Sequence, residues 1–346
     1  MCEERGGIPM KNMPKNHKTL NDSYITVFPE GVDRFVFGQF SLQGKNLKLE
    51  GVDLKSVQEV FKGKYGPSHL DIAWHNQSNN YTNIIFLVYW LHAEDYIQWK
   101  GSPIVKKWIE EDGYKQCGSR VTGFWYEMLK IPVEYFESSH SGNSGKEGVS
   151  NFLKMQLSEV HEYWGAMRDR IPASAYDQLL SQEINKQKKI YGDETSSKKL
   201  SITVPDYICF IRTVQSLSNV SEEERQIYAE VMEPVLDAGI KFLSNELDSC
   251  IDIKKVTEVS PNKDDLQITS VLAYFKSLSA LEKWAASHPT HLSIYGTYFK
   301  ILKMQEGKSD ISLWHEVSVL KSEDVETYYC YCQPDTGLLS SFTHKK

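Results

Sequence analysis

The sequence predicts an α+β protein made of two ferredoxin-like halves, with the helices outside the sheets. Two observations carry that prediction. Short runs rich in β-branched and aromatic residues alternate with helical patterns along the 346-residue chain. One such unit also recurs: "YWLHAEDYIQWKGSP" (89–103) and "YFKSLSALEKWAASHP" (274–289) each run from a strand ending in a tyrosine into a helix, and Tyr89→Trp99 and Tyr274→Trp284 have the same spacing. A strand–helix unit repeated at an offset near 185 residues implies two copies of one architecture.

Taken in order, residues 1–22 read as a flexible N-terminal arm, because they lack an apolar period. The first half, 23–137, holds strand runs at 34–42 ("RFVFGQFSL") and 83–90 ("NIIFLVYW"). A connecting region, 138–200, carries a helical pattern over 158–174 that ends near Pro172, flanked by polar stretches at 138–148 and 183–200 that read as loops. The second half, 201–340, holds strand runs at 206–214, 268–275 and 313–320, with a turn signal at 260–265. Its first helix opens with Ser221 and Glu224, a capping box, and Pro234 is expected to kink it.

Composition excludes several classes. The net charge is −7, and the short basic runs near 185 and 197 lie in polar stretches, so no nucleic-acid partner is expected. No stretch nears the roughly 18 apolar residues of a membrane span, and the N-terminus has no apolar secretory core. With six scattered cysteines and no CxxC, the chain suggests neither a disulfide framework nor a zinc or iron–sulfur site, and it reads as cytoplasmic.

The chemistry-bearing residues are histidines. In "HPTHLSIYGTYF" (288–299) Ser287 is positioned to cap a helix with Pro289 in its first turn, which puts His291 on the face of Ile294, Tyr295, Tyr298 and Leu302. His288 falls on another face, at the helix start. In "LWHEVSVL" (313–320) the alternation groups Leu313, His315, Val317 and Val319. Taken alone, either imidazole reads more readily as a hydrogen-bonded core residue. Near Ile104 and Val105 the first half has no counterpart of His291, so the fold alone does not demand that residue. Two inward histidines on adjacent elements, without a zinc-ligand cluster, fit a planar macrocycle between them or an acid–base pair.

Four segments carry a family resemblance: "EVHEYWGAMRDRIPAS" (159–174), "ICFIRTVQ" (208–215), "LEKWAASHPTHLSIYGTYF" (281–299) and "SLWHEVSVL" (312–320). In order and spacing the chain resembles the aldoxime dehydratases, haem enzymes that convert aldoximes to nitriles, and in particular the phenylacetaldoxime dehydratase branch. The resemblance spans about residues 23 to 340. It implies a dimeric α+β barrel-like fold and non-covalent haem b, ferrous in the working enzyme. It implies His291 as the axial ligand of the iron and His315 as the distal acid–base residue. Glu137 and either Arg168 or Arg170 would support that histidine. A hydroxyl, at Thr213 or Ser216, would touch an arylalkyl or alkyl aldoxime; where other members carry serine this chain has threonine. The competing expectations are a peroxidase-like haem enzyme and a haem-binding sensor or carrier without chemistry.

Overall fold

The computed structural model describes residues 11–181, 199–246, 248–307, 309–342 and 344–345. Two units share one strand–helix order. In the first, β2 (Arg34–Lys45), α1 (Leu54–Phe61), β3 (His69–Asn76), β4 (Tyr81–Trp90), α2 (Ala93–Lys100), α3 (Pro103–Glu110) and β5 (Gly123–Pro132) follow one another. In the second the order is β9 (Ile208–Ser216), α5 (Glu222–Ile227), α6 (Glu233–Asn245), β10 (Cys250–Val259), β11 (Asp265–Phe275), α7 (Leu278–Ser287), α8 (Pro289–Met304) and β12 (Ser312–Leu320). The strands pair as β5-β2-β4-β3 and as β12-β9-β11-β10, so the second set repeats the first in mirror sequence along one continuous antiparallel sheet. The two sets join where β3 pairs with β10, Trp74 opposite Thr257.

Short strands extend both ends. β13 (Val325–Cys330), β8 (Lys199–Ile202) and β14 (His344–Lys345) continue beyond β5, while β6 (Phe136–His140), β1 (Tyr24–Val27) and β7 (Lys154–Leu157) continue beyond β12. Alternation along each strand makes two faces. On one face Phe37, Leu87, Tyr89 and Trp125 of the first set meet Phe210, Leu272 and Tyr274 of the second in a shared core. The other face of the first set packs on α1–α3 through Phe40, Phe61, Trp99 and Trp108. The corresponding face of the second set packs on Leu243, Leu278 and Leu281 of α6 and α7.

Three expectations are corrected. The pattern at 158–174 forms a helix only over α4 (Ala166–Arg170), because Glu162 and the N-cap Gly165 both have positive φ, which breaks a helical run ahead of it. Ser138–His140, expected in a loop, lie in β6, where the Ser138 hydroxyl bonds Thr26. Lys199 and Leu200, also expected in a loop, open β8; residues 182–198, including the basic run near 185, lie outside the described residues. Pro234 follows a π-helical turn at Tyr228–Met232, the local widening by which a helix absorbs a proline that cannot donate to the preceding turn. Residues 11–21, assigned to an arm, lie against the 161–175 segment: Asn12 donates to Asp169, and Leu20 and Asn21 donate to Glu162.

A buried charge network spans the two sets on their shared face. Arg212, fully enclosed, donates to the Tyr89 hydroxyl (2.8 Å), Asp71 (2.9 Å) and Glu258 (2.7 Å). Glu316 accepts from Tyr89 at 2.8 Å and from the Val149 amide at 2.7 Å. Burial pushes the Glu258 and Glu316 carboxyls up, against the pull of Arg212. Removing one partner of such a network strands the rest. Arg212→Met is expected to cost about 3–5 kcal/mol of stability; a urea midpoint matching wild type would show the network to be dispensable.

Candidate active site

The register of four strands sets out the site. Across β6, β12, β9 and β11 the directly opposed residues are Ser139, His315, Thr213 and Val271, all on the face away from the shared core. One step along, Glu137, Val317, Ile211 and Ala273 form the next row. Both faces of β12 are thus used: His315 looks toward the helices, Glu316 into the charge network.

At one end of these rows three groups converge. Arg170 Nε donates to Glu137 Oε2 at 2.6 Å, its Nη1 donates to the Val160 carbonyl at 2.7 Å, and its Nη2 lies 3.0 Å from His315 Nε2. Glu137 Oε1 lies 3.0 Å from the same nitrogen. Burial alone would raise the Glu137 carboxyl, but the guanidinium and the imidazole outweigh it and hold the group at about 2. The other ring nitrogen of His315 has no partner among the described residues.

Arg168 points elsewhere. It forms a two-pronged ion pair with Glu282 of α7 and donates to Ser279, tying α4 to the helix layer. The structure therefore brings Arg170, and not Arg168, to His315. Of the two hydroxyl candidates, Thr213 lines the same cavity as His315; Ser216 lies outside its lining and contacts Ser218.

That cavity, about 680 Å³, lies between the strand rows and α6–α8. Cofactor and ligand sites typically span roughly 300–1,000 Å³. Its walls are mainly apolar, with Leu236, Gly239, Leu243, Ala273 and Ala285 among them. His291 of α8 closes the far side, its ring 4.7 Å from that of Trp284 and 6.3 Å from that of Trp164. The helix cap is His288, not Ser287: Thr290 donates its amide to His288 Nδ1, and the ring stacks on Phe242. His288 is outside the cavity lining.

Sequence reasoning missed Ser139 and Trp164 as cavity residues. Ser139 was hidden by the loop reading of 138–148; the only available signal was the β-like "YFESSH" (135–140) that contains it.

A family model for haem-containing dehydratases matches residues 39–338. The chain belongs to that family. It is 38% identical to the phenylacetaldoxime dehydratase of Bacillus sp. (strain OxB-1), over 96% of this chain and 95% of the relative. It is 29% identical to the aliphatic aldoxime dehydratase of Rhodococcus globerulus, over 93% of each. A solved aldoxime dehydratase in complex with butyraldoxime superposes with a TM-score of 0.85 at 26% identity, over 96% of this chain and 92% of that one.

The residues present fit a haem. Burial lowers the pKa of His291, which favours the neutral imidazole that binds metals, and its buried Nδ1 lacks a well-formed hydrogen bond. Among the described residues no cluster of three or more metal-ligating side chains occurs, so the donor set suits a metal that brings most of its ligands with it. The flanking rings of Trp164, Trp284 and Tyr295 and the small residues of α6 and α7 suit a flat, apolar group.

The Glu137 carboxyl yields a prediction for this dehydratase with a definite sign. Its folded pKa lies below its unfolded value, so its contribution is complete above about 4.5 and fades as pH falls toward 2. The shift corresponds to about 3 kcal/mol. Glu137→Gln should be less stable than wild type by about that amount at neutral pH. In urea titrations the gap should narrow as pH drops below about 4.5; a gap independent of pH would contradict the assignment.

Proposed function

We propose that this haem-containing dehydratase converts arylalkyl or alkyl aldoximes to nitriles with loss of water. The observation that carries the reading is the His315–Arg170–Glu137 triad facing His291 across an apolar cavity. The names of the relatives supply the substrate class.

His291 would hold the iron of a non-covalent haem b. Bound in the ferrous state, haem would hold the oxime nitrogen and weaken the N–O bond. The remaining work falls to the protein. His315 gives a proton from Nδ1 to the departing hydroxyl, so that oxygen leaves as water rather than hydroxide, and the neutral ring then takes the proton from the oxime carbon. Such placement is worth roughly 10²–10⁴ in rate. Through both steps Nε2 keeps its proton: its N–H faces the Glu137 carboxylate 3.0 Å away, which Arg170 Nε holds in place, so that Nδ1 alone gives and takes a proton. Thr213 holds the oxime hydroxyl, a role supported by its position opposite His315 across β12 and β9. The surrounding apolar wall takes the hydrocarbon chain and excludes water, which strengthens these charged contacts.

Three broader readings go with this one. The two βαββαβ units are ferredoxin-like halves of a barrel, supported by their matching strand orders and shared core. The working form is a homodimer. The protein acts in the cytoplasm, a placement supported by five buried free thiols among the described residues.

Two variants separate the roles. His291→Ala should be recovered with little haem, read as the ratio of haem absorbance to protein. His315→Ala should keep its haem yet form nitrile from phenylacetaldoxime under anaerobic reducing conditions at least about a hundredfold more slowly. Full haem content in the first, or normal nitrile formation in the second, would overturn the corresponding role.

A further inference from the structure

β6 brings to the cavity a hydroxyl that the reaction above has not used. Ser139 opposes His315 on the side away from Thr213, and both hydroxyl residues line the cavity. Directly opposed side chains on one sheet face stand about 5 Å apart, so the imidazole is flanked by a hydroxyl on each side. The two are held differently. Thr213 makes no side-chain hydrogen bond among the described residues. Ser139 Oγ lies 3.0 Å from Ser23 Oγ, and Ser23 Oγ also donates to the buried His140 carbonyl, at 3.4 Å.

That second contact gives the pair a direction. A hydroxyl has one proton and two lone pairs. The carbonyl can only accept, so with the Ser23 proton turned to it, the proton between the two serines belongs to Ser139. Ser139 then turns lone pairs, not a donor, toward His315. Ser23 is buried and its own carbonyl accepts from the Ser158 amide at 2.9 Å, which fixes the chain that carries it.

We propose that Ser139 is a substrate-positioning residue, an acceptor aimed by Ser23 that takes the O–H hydrogen bond of the aldoxime and then of the water it becomes. The proposal rests on the aldoxime reading. In that reaction the N–O bond breaks with its electron pair on oxygen, and His315 supplies the second proton of the water. The C–H electrons form the third carbon–nitrogen bond, and the carbon-bound proton goes to His315. Ser139 keeps its proton throughout, and the sum is neutral in charge and redox. Its contribution is to orientation. An oxime O–H free to rotate would carry its oxygen lone pairs with it; an acceptor beside the ring fixes that proton and leaves an oxygen lone pair facing the Nδ1–H of His315. Glu137 is poorly placed for this task, since Arg170 and His315 already engage its two oxygens.

The test uses the holoenzyme and the variants Ser139→Ala, Ser139→Thr, Ser23→Ala and the double alanine variant, with haem content, thermal midpoint and steady-state kinetics on phenylacetaldoxime for each. With haem content and midpoint unchanged, Ser139→Ala should lower kcat/KM about tenfold, the weight of one such hydrogen bond. Ser139→Thr, which keeps the hydroxyl, should restore most of it. Ser23→Ala should lower kcat/KM by a few-fold, and should add nothing once Ser139 is alanine. Ser139→Ala within twofold of wild type would overturn the proposal, as would multiplicative losses in the double variant or a threonine variant no better than alanine. A wild-type protein that holds haem but forms no nitrile would instead remove the aldoxime reading itself.

Discussion

The site depends on a register. Side chains alternate along a strand, so a slip of one residue between β12 and β9 would exchange His315 for Glu316 and Thr213 for Arg212. The residues on the shared face resist that slip. Arg212 reaches Asp71 and Tyr89 from the first set of strands and Glu258 from the second, and Tyr89 passes a hydrogen bond on to Glu316. His315 and Thr213 therefore each have a neighbour, Glu316 and Arg212, locked into a buried ionic network on the opposite face. Such a network adds little net stability compared with an apolar core, but it penalises any pairing that leaves a charge without its partner. Here it is an alignment device for the cavity on the other side of the sheet.

Register alone does not complete the site, because Arg170 arrives from outside the repeated units. It stands at the end of the five-residue α4, on a segment with few helical hydrogen bonds of its own. Three sets of contacts brace that segment. Asp169, next to Arg170, accepts from the Asn12 amide and the Tyr163 hydroxyl; His17 bonds the His161 carbonyl; and Arg168 anchors the other side to Glu282. The neighbours of Arg170 in "MRDR" thus have separate tasks. Arg168 and Asp169 hold the segment, and Arg170, almost fully buried, meets the imidazole and the carboxylate.

This division also explains what the sequence disclosed. Strands with near-continuous apolar runs, such as β4 and β11, stood out, as did the tyrosine-to-tryptophan spacing that announced the repeat. Two strands that contribute to the ionic network or to the site did not, because their polar residues resemble those of loops: β3 reads "HLDIAWHN" with Asp71 in it, and β6 reads "FESSH" with Glu137 and Ser139. Helical periodicity over 158–174 was misleading because two positive-φ positions, Glu162 and Gly165, turn the chain where the pattern continues. The choice between Arg168 and Arg170 was not readable from spacing, since either falls near the end of a short helix; the ion pair with Glu282 decides where Arg168 goes. The histidines were legible as candidates, but only the fold puts a cavity between them.

The two halves differ most where they correspond. In the first, Trp99 stacks on Phe61 at 5.4 Å, Phe40 stacks on Trp108, and the buried Val105 follows Pro103 in an eight-residue α3. That layer is packed solid. In the second half the matching tryptophan, Trp284, meets His291 edge to face, and the following sixteen-residue helix, α8, borders through His291, Ile294 and Tyr295 a hollow lined by Gly239, Ala273, Ala285 and Ala286. Small residues and a longer helix, set on the same strand order, convert a packed interface into a cavity. A void of that kind weakens a core unless something fills it. The solid first half, joined to the second through the shared core and the β3–β10 pairing, provides the stability that lets its twin stay open for a bound group.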